Sequence, residues 1–305
     1  GDRPCIRIWV AEDGFRTRQL DIVIDAVERE RGACVAALLL GGLAFLNTWD
    51  VLIHLFVVVA AYALGRWQAH GWQTALLGQS VLLAVMLTIP AVLLYLPFYL
   101  GFSSQAGAPY LLPMLMQPTR LPHFLTIFAM PLLSIVLLMG VLLAKQRLRH
   151  WQLGLTTAVS LTLALTLLTL LFSWIIAASA GSGGRVINLA SELGLTLAPR
   201  PDAIIAPGWG LTAVFTLAPA VIGARLANPW LILLLTGLIG ASVMVWRERA
   251  SDAQFTPAPP AGSASRLPFV LLLIFTAALL TLGPEFVYLR DNFGQRLNTI
   301  FKFYY

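Results

Sequence analysis

Charged residues are scarce in this chain: they make up only 11% of 305 residues, where an ordinary soluble domain carries about 25%. With 58% hydrophobic residues and a mean hydropathy of +0.81, the composition excludes a water-soluble globular fold. Cysteine is nearly absent. Cys5 and Cys34 are too few for a disulfide framework, and neither belongs to a CxxC or a Cys/His ligand set. There is no GxxxxGK[ST] phosphate cradle, no GxSxG elbow, no HExxH and no GxGxxG following a strand, which argues against nucleotide hydrolysis and zinc chemistry. No repeat of solenoid length is visible.

What little charge there is falls unevenly. Residues 1–31 hold six Arg and seven Asp or Glu, leaving fourteen basic and seven acidic residues for the other 274. No Lys/Arg run is long enough for a DNA or RNA partner, so the basic excess reads as membrane orientation and no nucleic acid is expected. The charged start also lacks the apolar core of a cleavable signal, and insertion is expected to rely on internal spans.

Apolar runs near the length of one crossing, about 20 residues, cover Thr74–Pro97, His123–Ala144, Leu153–Ala178, Trp230–Trp246 and Leu267–Gly283, with Gly208–Ala224 as a further candidate. The expected fold is therefore all-α, a polytopic membrane bundle of six to eight spans in contact with the lipid bilayer. In Ala33–Leu64, two apolar pieces of fourteen residues flank Asn47-Thr48-Trp49-Asp50, which describes either one long interrupted helix or a hairpin. The loop Lys145–His150 is the strongest cytoplasmic marker, with Arg66, Arg247 and Arg249 as weaker ones. Two full crossings between Gly208 and Trp246 would put Arg247 on the wrong side, so one of them is re-entrant or the count is off. Ser251–Ser265, with Pro257, Pro259 and Pro260, reads as a flexible linker. Gly237 and Ala241 form a small-xxx-small pair suited to close helix packing.

Three stretches can carry chemistry. Asp50 interrupts an apolar run, where a carboxylate is costly unless paired or wet; Asn47 and Trp49 accompany it, and a plain helix break with an interfacial anchor explains the motif equally well. The segment from Glu285 to Tyr305 holds five charges in twenty-one residues. Continued as a helix beyond Pro284, it would align Asp291, Gln295, Asn298 and Lys302 opposite Phe293, Leu297, Phe301 and Tyr304. Such a helix can simply lie in the interface, but it also mixes carboxylates fit for base or metal work with Arg and Lys fit for phosphate oxygens. Ser103, Ser104 and Gln105 lie in a long loop, where a solvated turn is the common explanation. His54, His70, His123 and His150 are scattered without partners and are left out of the site.

NTWD at 47–50, LPFYLGFSSQAG at 96–107 and EFVYLRDNFGQRLNTIFKFYY at 285–305 together resemble the YYY-type family of large, uncharacterised polytopic membrane proteins, over residues 33–305. That family's plan is similar to fold-C glycosyltransferases, which take sugars from polyprenyl-phosphate donors at the outer face of a membrane. The resemblance implies a multi-pass protein of a bacterial or archaeal plasma membrane, with a polyprenyl-phosphate sugar donor as partner. Under it, Asp50 and Asp291 are the catalytic candidates, as base or as ligands of a divalent cation, and Asn47, Trp49, Glu285, Arg290, Arg296, Asn298 and Lys302 are the substrate-binding candidates. Members of the family run on past these tyrosines and differ upstream of NTWD. The chain is therefore expected to be truncated at its C-terminus, with residues 1–32 foreign to the fold and 33–305 forming the membrane domain. The rival expectations are a transporter with a midplane site at Asp50 and a non-catalytic structural membrane subunit.

Overall fold

A computed structural model of the chain describes residues 32–47, 49–102, 111–115, 118–145, 149–178, 207–253, 266–290 and 296–304. The charged stretch 1–31, the loop with Ser103 to Gln105, and residues 254–265 of the expected linker lie outside them. Almost every element is helical, since lipid offers a backbone N–H or C=O no partner and only a helix or a closed barrel satisfies both internally. The elements are α1 (Gly32–Leu46), α2 (Asp50–His70), α3 (Ala75–Leu94), α4 (Leu96–Gly101), β1 (Leu111–Pro113), α5 (Leu121–Lys145), α6 (Trp151–Ala178), α7 (Pro207–Ala227), α8 (Trp230–Ala253), α9 (Leu267–Leu282), a 3-10 turn (Gly283–Glu285), β2 (Val287–Leu289) and α10 (Leu297–Tyr304). Six of these, α2, α3, α5, α6, α8 and α9, contain stretches long and apolar enough to cross a membrane. The expected polytopic helical architecture is what the chain adopts. α8 extends to Ala253, so the first three residues of the expected linker belong to its last turn.

The chain divides into two compact units, residues 1–103 and 104–305. In the first, the alternative at Asn47–Asp50 is resolved as a hairpin. α1 has 15 residues, about 22 Å at 1.5 Å each, which is short of the roughly 30 Å hydrocarbon core. α2 has 21 residues and is long enough. Leu40 of α1 clusters with Leu87 and Ala91 of α3, and Val51 and Leu55 of α2 pack on the same cluster. A straight continuation would carry Leu40 away from α3; the reversal brings it back. Gly41 permits the approach, because a Cβ there would lie 2.7 Å from the carbonyl oxygen of Ala91.

In the second unit α8 is central, packed against α5, α6 and α9. Leu231, Leu235, Ile239 and Val245 of α8 meet Leu271, Ile274, Ala278 and Leu282 of α9, with Phe124 and Met139 of α5, in one apolar core. The outward faces are also apolar: Ile127 is 73% and Met130 78% exposed on α5. An extended apolar surface of this kind suits lipid and would be a liability in water. Buried and half-buried hydroxyls within the bundle have no water to bond, so they turn back on their own helices. Thr162, Thr166, Thr169 and Ser173 of α6, Thr236 and Ser242 of α8, and Thr276 and Thr281 of α9 each donate to the carbonyl four residues earlier.

The tightest helix crossing is not at Gly237, whose α-carbon faces open space, but at Gly240. A Cβ on Gly154 of α6 would lie 2.9 Å from the Gly240 carbonyl oxygen, and one on Gly240 would strike the Gly154 carbonyl. Two helical turns further along α8, Glu248 accepts a bond from the backbone N–H of His150 (3.4 Å) at the head of α6. Arg247 and Arg249 therefore stand at the same end of the unit as the Lys145–His150 loop. This places Arg247 with the cytoplasmic marker, as its charge requires, although α7, with 21 residues, is itself long enough to cross. α7 finishes and α8 begins at the end opposite the basic one.

Gly240→Ala should lower stability by about 1–3 kcal/mol through overpacking, whereas Gly237→Ala should leave it nearly unchanged. Reversible unfolding in detergent micelles distinguishes the two variants. Equal effects would remove the Gly154–Gly240 contact from the account of the bundle.

Candidate functional site

The end of the second unit opposite Arg247 is built around one carboxylate. Gly283 and Pro284 stop α9, and the 3-10 turn they form carries Glu285. Beyond it the chain does not continue as a helix, which corrects the expected unbroken stripe. Val287–Leu289 instead pairs antiparallel with Leu111–Pro113, Tyr288 opposite Leu112. The β-branched and aromatic residues after Glu285 suit this pairing, and the Met114 amide extends it by donating to the Phe286 carbonyl at 2.9 Å. A further helix is described from Leu297.

Glu285 is 1% exposed. Its Oε1 accepts from the Thr119 hydroxyl at 2.7 Å, from Arg296 Nη1 at 3.0 Å and from the Tyr304 hydroxyl at 2.9 Å, while Oε2 accepts from the Thr119 amide at 2.7 Å. Arg296 Nη2 closes the network on Thr119 Oγ1 at 3.0 Å. A buried charge is tolerated only when paired and hydrogen-bonded, and this one is both. Enclosed in this way, the Glu285 carboxylate presents almost no surface of its own, and Arg296 and Tyr304 stand between it and the surroundings. Burial, and then the neighbouring Glu285 charge, push the Tyr304 hydroxyl well above the usual tyrosine range, so it stays a hydrogen-bond donor.

Behind the carboxylate lies a second guanidinium that the sequence reading did not single out. Arg225, buried near the end of α7, donates to the carbonyls of Val221 (3.1 Å), Met114 (3.0 Å) and Glu285 (3.0 Å), and stacks 4.9 Å from the centre of the Phe286 ring. Its Nε has no partner. Thr169 of α6 donates to the Phe286 carbonyl at 2.9 Å. Arg225 could have been flagged as a lone cation closing an apolar run. Thr119 left no such signal, since nothing in a loop threonine announces a carboxylate 166 residues away.

Of the sequence-predicted residues, Glu285 and Arg296 are brought together here. Arg290 is half-buried at the end of β2, and Lys302 is exposed on α10. Asp291 and the side chain of Asn298 lie outside the described residues. Asp50 belongs to the first unit. It occupies the first turn of α2, where the helix dipole favours a carboxylate, and accepts a 2.8 Å bond from Asn47 Nδ2. Asn47 Oδ1 accepts from the Trp49 amide at 3.4 Å, and His54 Nδ1 lies 2.9 Å from the Asp50 carbonyl. Asp50 therefore sits at the head of a full-length span, away from the middle of an apolar run. Among the described residues, no three His, Cys, Asp or Glu side chains converge on a point that could hold a metal ion.

Glu285→Ala should cost about 3–5 kcal/mol, because Arg296 would keep its burial and lose its counter-ion. Tyr304→Phe, which removes one bond to a charged acceptor, should cost about 1.5–3 kcal/mol. The folded chain also holds the Tyr304 proton more tightly than the unfolded chain. That contribution is complete below the ordinary tyrosine value of about 10 and fades as pH climbs past it, so wild-type stability should fall at alkaline pH more steeply than that of Tyr304→Phe. Unfolding curves across pH check both statements, and parallel pH profiles for the two proteins would contradict the second.

The chain belongs to a family of uncharacterised membrane proteins: the family model described as "Uncharacterized membrane protein (DUF2298)" matches residues 15–305. No curated protein and no solved structure matches it.

Proposed function

We propose that this member of an uncharacterised membrane protein family is a glycosyltransferase-like enzyme that takes sugar from a polyprenyl-phosphate donor at the outer face of a plasma membrane. The observation that carries the reading is the clamp on Arg296. A lipid phosphate needs an apolar surface for its chain and a fixed cation where the hydrocarbon ends, and Arg296 is fixed by Glu285 and Thr119 where α9 ends and α5 begins. Arg290 and the exposed Lys302 lie within a few residues of it in the chain, and the dense basic cluster Lys145, Arg147 and Arg149 in the short loop at the opposite end favours the outer face for this one.

In this reading Asp291, next to Arg290, removes the proton from an acceptor hydroxyl. The freed oxygen attacks the anomeric carbon, and the bond from that carbon to the phosphate oxygen breaks. The polyprenyl phosphate leaves with the electron pair, its charge offset by Arg290, Arg296 and Lys302. Asn298 contributes a neutral hydrogen-bonding group to the same donor. Asp50, with Asn47 and Trp49, is a second carboxylate site able to serve as base or to take part in holding a divalent cation. Glu285 belongs to the donor site as the residue that orients Arg296.

Asp291→Asn should abolish sugar transfer from a polyprenyl-phosphate donor while the amount of protein in the membrane stays the same. Full activity in that variant would sink the assignment of Asp291. A transporter is distinguished by probing a cysteine placed at Asp50: labelling from alternating sides of the membrane would favour transport over transfer.

A further inference from the structure

α10 is amphipathic in the opposite sense to a helix resting on a water-facing surface. Its polar groups point inward: Arg296, just ahead of its first turn, and Tyr304 reach Glu285, and the Thr299 hydroxyl, on a residue 2% exposed, accepts from the Leu289 amide at 2.8 Å. Its large apolar groups point outward, with Leu297 50% and Phe301 71% exposed one turn apart. In water this arrangement would spend the apolar face on solvent while the polar face is desolvated; against hydrocarbon both faces are satisfied. The span whose aromatic rings meet the end of α10 already has such an outer surface. The Tyr304 ring packs edge-on against Phe124 and Phe128 of α5 at 5.8 Å, and α5 exposes Ile127 and Met130 along its first turns. Among the described residues two cations are exposed at this end, Arg120 at the head of α5 and Lys302 on α10. That is the level at which headgroup phosphates begin.

We infer that α10 is an interfacial lipid-binding helix: Leu297 and Phe301 enter the boundary between acyl chains and headgroups, and Lys302 with Arg120 engages the phosphate of anionic lipids. The inference stands whatever reaction the protein catalyses. It also gives the inward network a second task. Tyr304 and Arg296 tie the helix to the bundle, so that the depth of α10 in the bilayer is fixed relative to Glu285.

The test places a nitroxide at Phe301→Cys, and separately at Leu297→Cys, in protein whose Cys5 and Cys34 are replaced by serine. Met130→Cys serves as the lipid reference and Arg149→Cys as the aqueous one. Each protein is reconstituted in nanodiscs of phosphatidylcholine and of phosphatidylcholine with phosphatidylglycerol. Labels at 301 and 297 should relax with oxygen as the label at 130 does and lose the nickel broadening shown at 149. Relaxation like that at 149 would overturn the inference, as would a label shielded from both reagents, which would mean that another polypeptide covers the helix. Adding phosphatidylglycerol should shift the label at 301 deeper, and combining Lys302→Gln with Arg120→Gln should abolish that shift. Persistence of the shift without the two cations would overturn their part in the site.

Discussion

Inside a bilayer, a polar group that the chain itself does not satisfy remains unsatisfied, and the described structure follows from that constraint. It makes the long elements helical. It folds the hydroxyls of α6, α8 and α9 back on their own carbonyls. It also confines charge to the ends of the second unit, and at one of them two buried ions are surrounded: Glu285 by four hydrogen bonds, and Arg225 by three carbonyl oxygens and the face of Phe286.

Glu285 shows how such a constraint assembles a site. Its carboxylate joins the loop before α5, the turn after α9 and both ends of α10, three places that share no local sequence. Arg225 adds the end of α7 through the Met114 and Glu285 carbonyls and the face of Phe286. The two-stranded pairing of Leu111–Pro113 with Val287–Leu289 holds the same place in register. A charged brace of this kind contributes little net stability when intact, yet removing one partner leaves a bare ion in a dry place. Its effect is positional: it decides where Arg296 and Tyr304 stand.

The membrane spans were legible because their signal is local. A run of about 20 apolar residues has one good solution in lipid, and five of the runs read from sequence became spanning helices nearly at their expected bounds. The sixth span, α2, was hidden by the uncertainty at Asn47–Asp50, where a straight helix and a hairpin have the same composition. The parity problem around Arg247 had the same origin. Length did not settle the role of α7, which has 21 residues, and only the contact of Glu248 with the head of α6 placed Arg247 at the basic end. The expected Gly237–Ala241 packing failed because spacing names a helix face without naming its neighbour. Gly240, three residues further along α8, was the one that met Gly154.

The C-terminal segment divides what each level of description determined. The sequence by itself established that Glu285, Arg290, Arg296 and Lys302 are charges following an apolar span, and that the segment suits a membrane boundary. These are properties of residue type and order. Only the tertiary structure decided that Val287–Leu289 is strand, that Glu285 faces Thr119 and Tyr304, and that Arg225 lies behind it. Those outcomes depend on which segments from distant parts of the chain arrive at the same end of the bundle, and hydropathy carries no term for that. A helix periodicity assumes that the polar side seeks water. Here the polar side of α10 found Glu285 and the β2 backbone instead, because the partners of a buried charge are chosen by proximity in the fold.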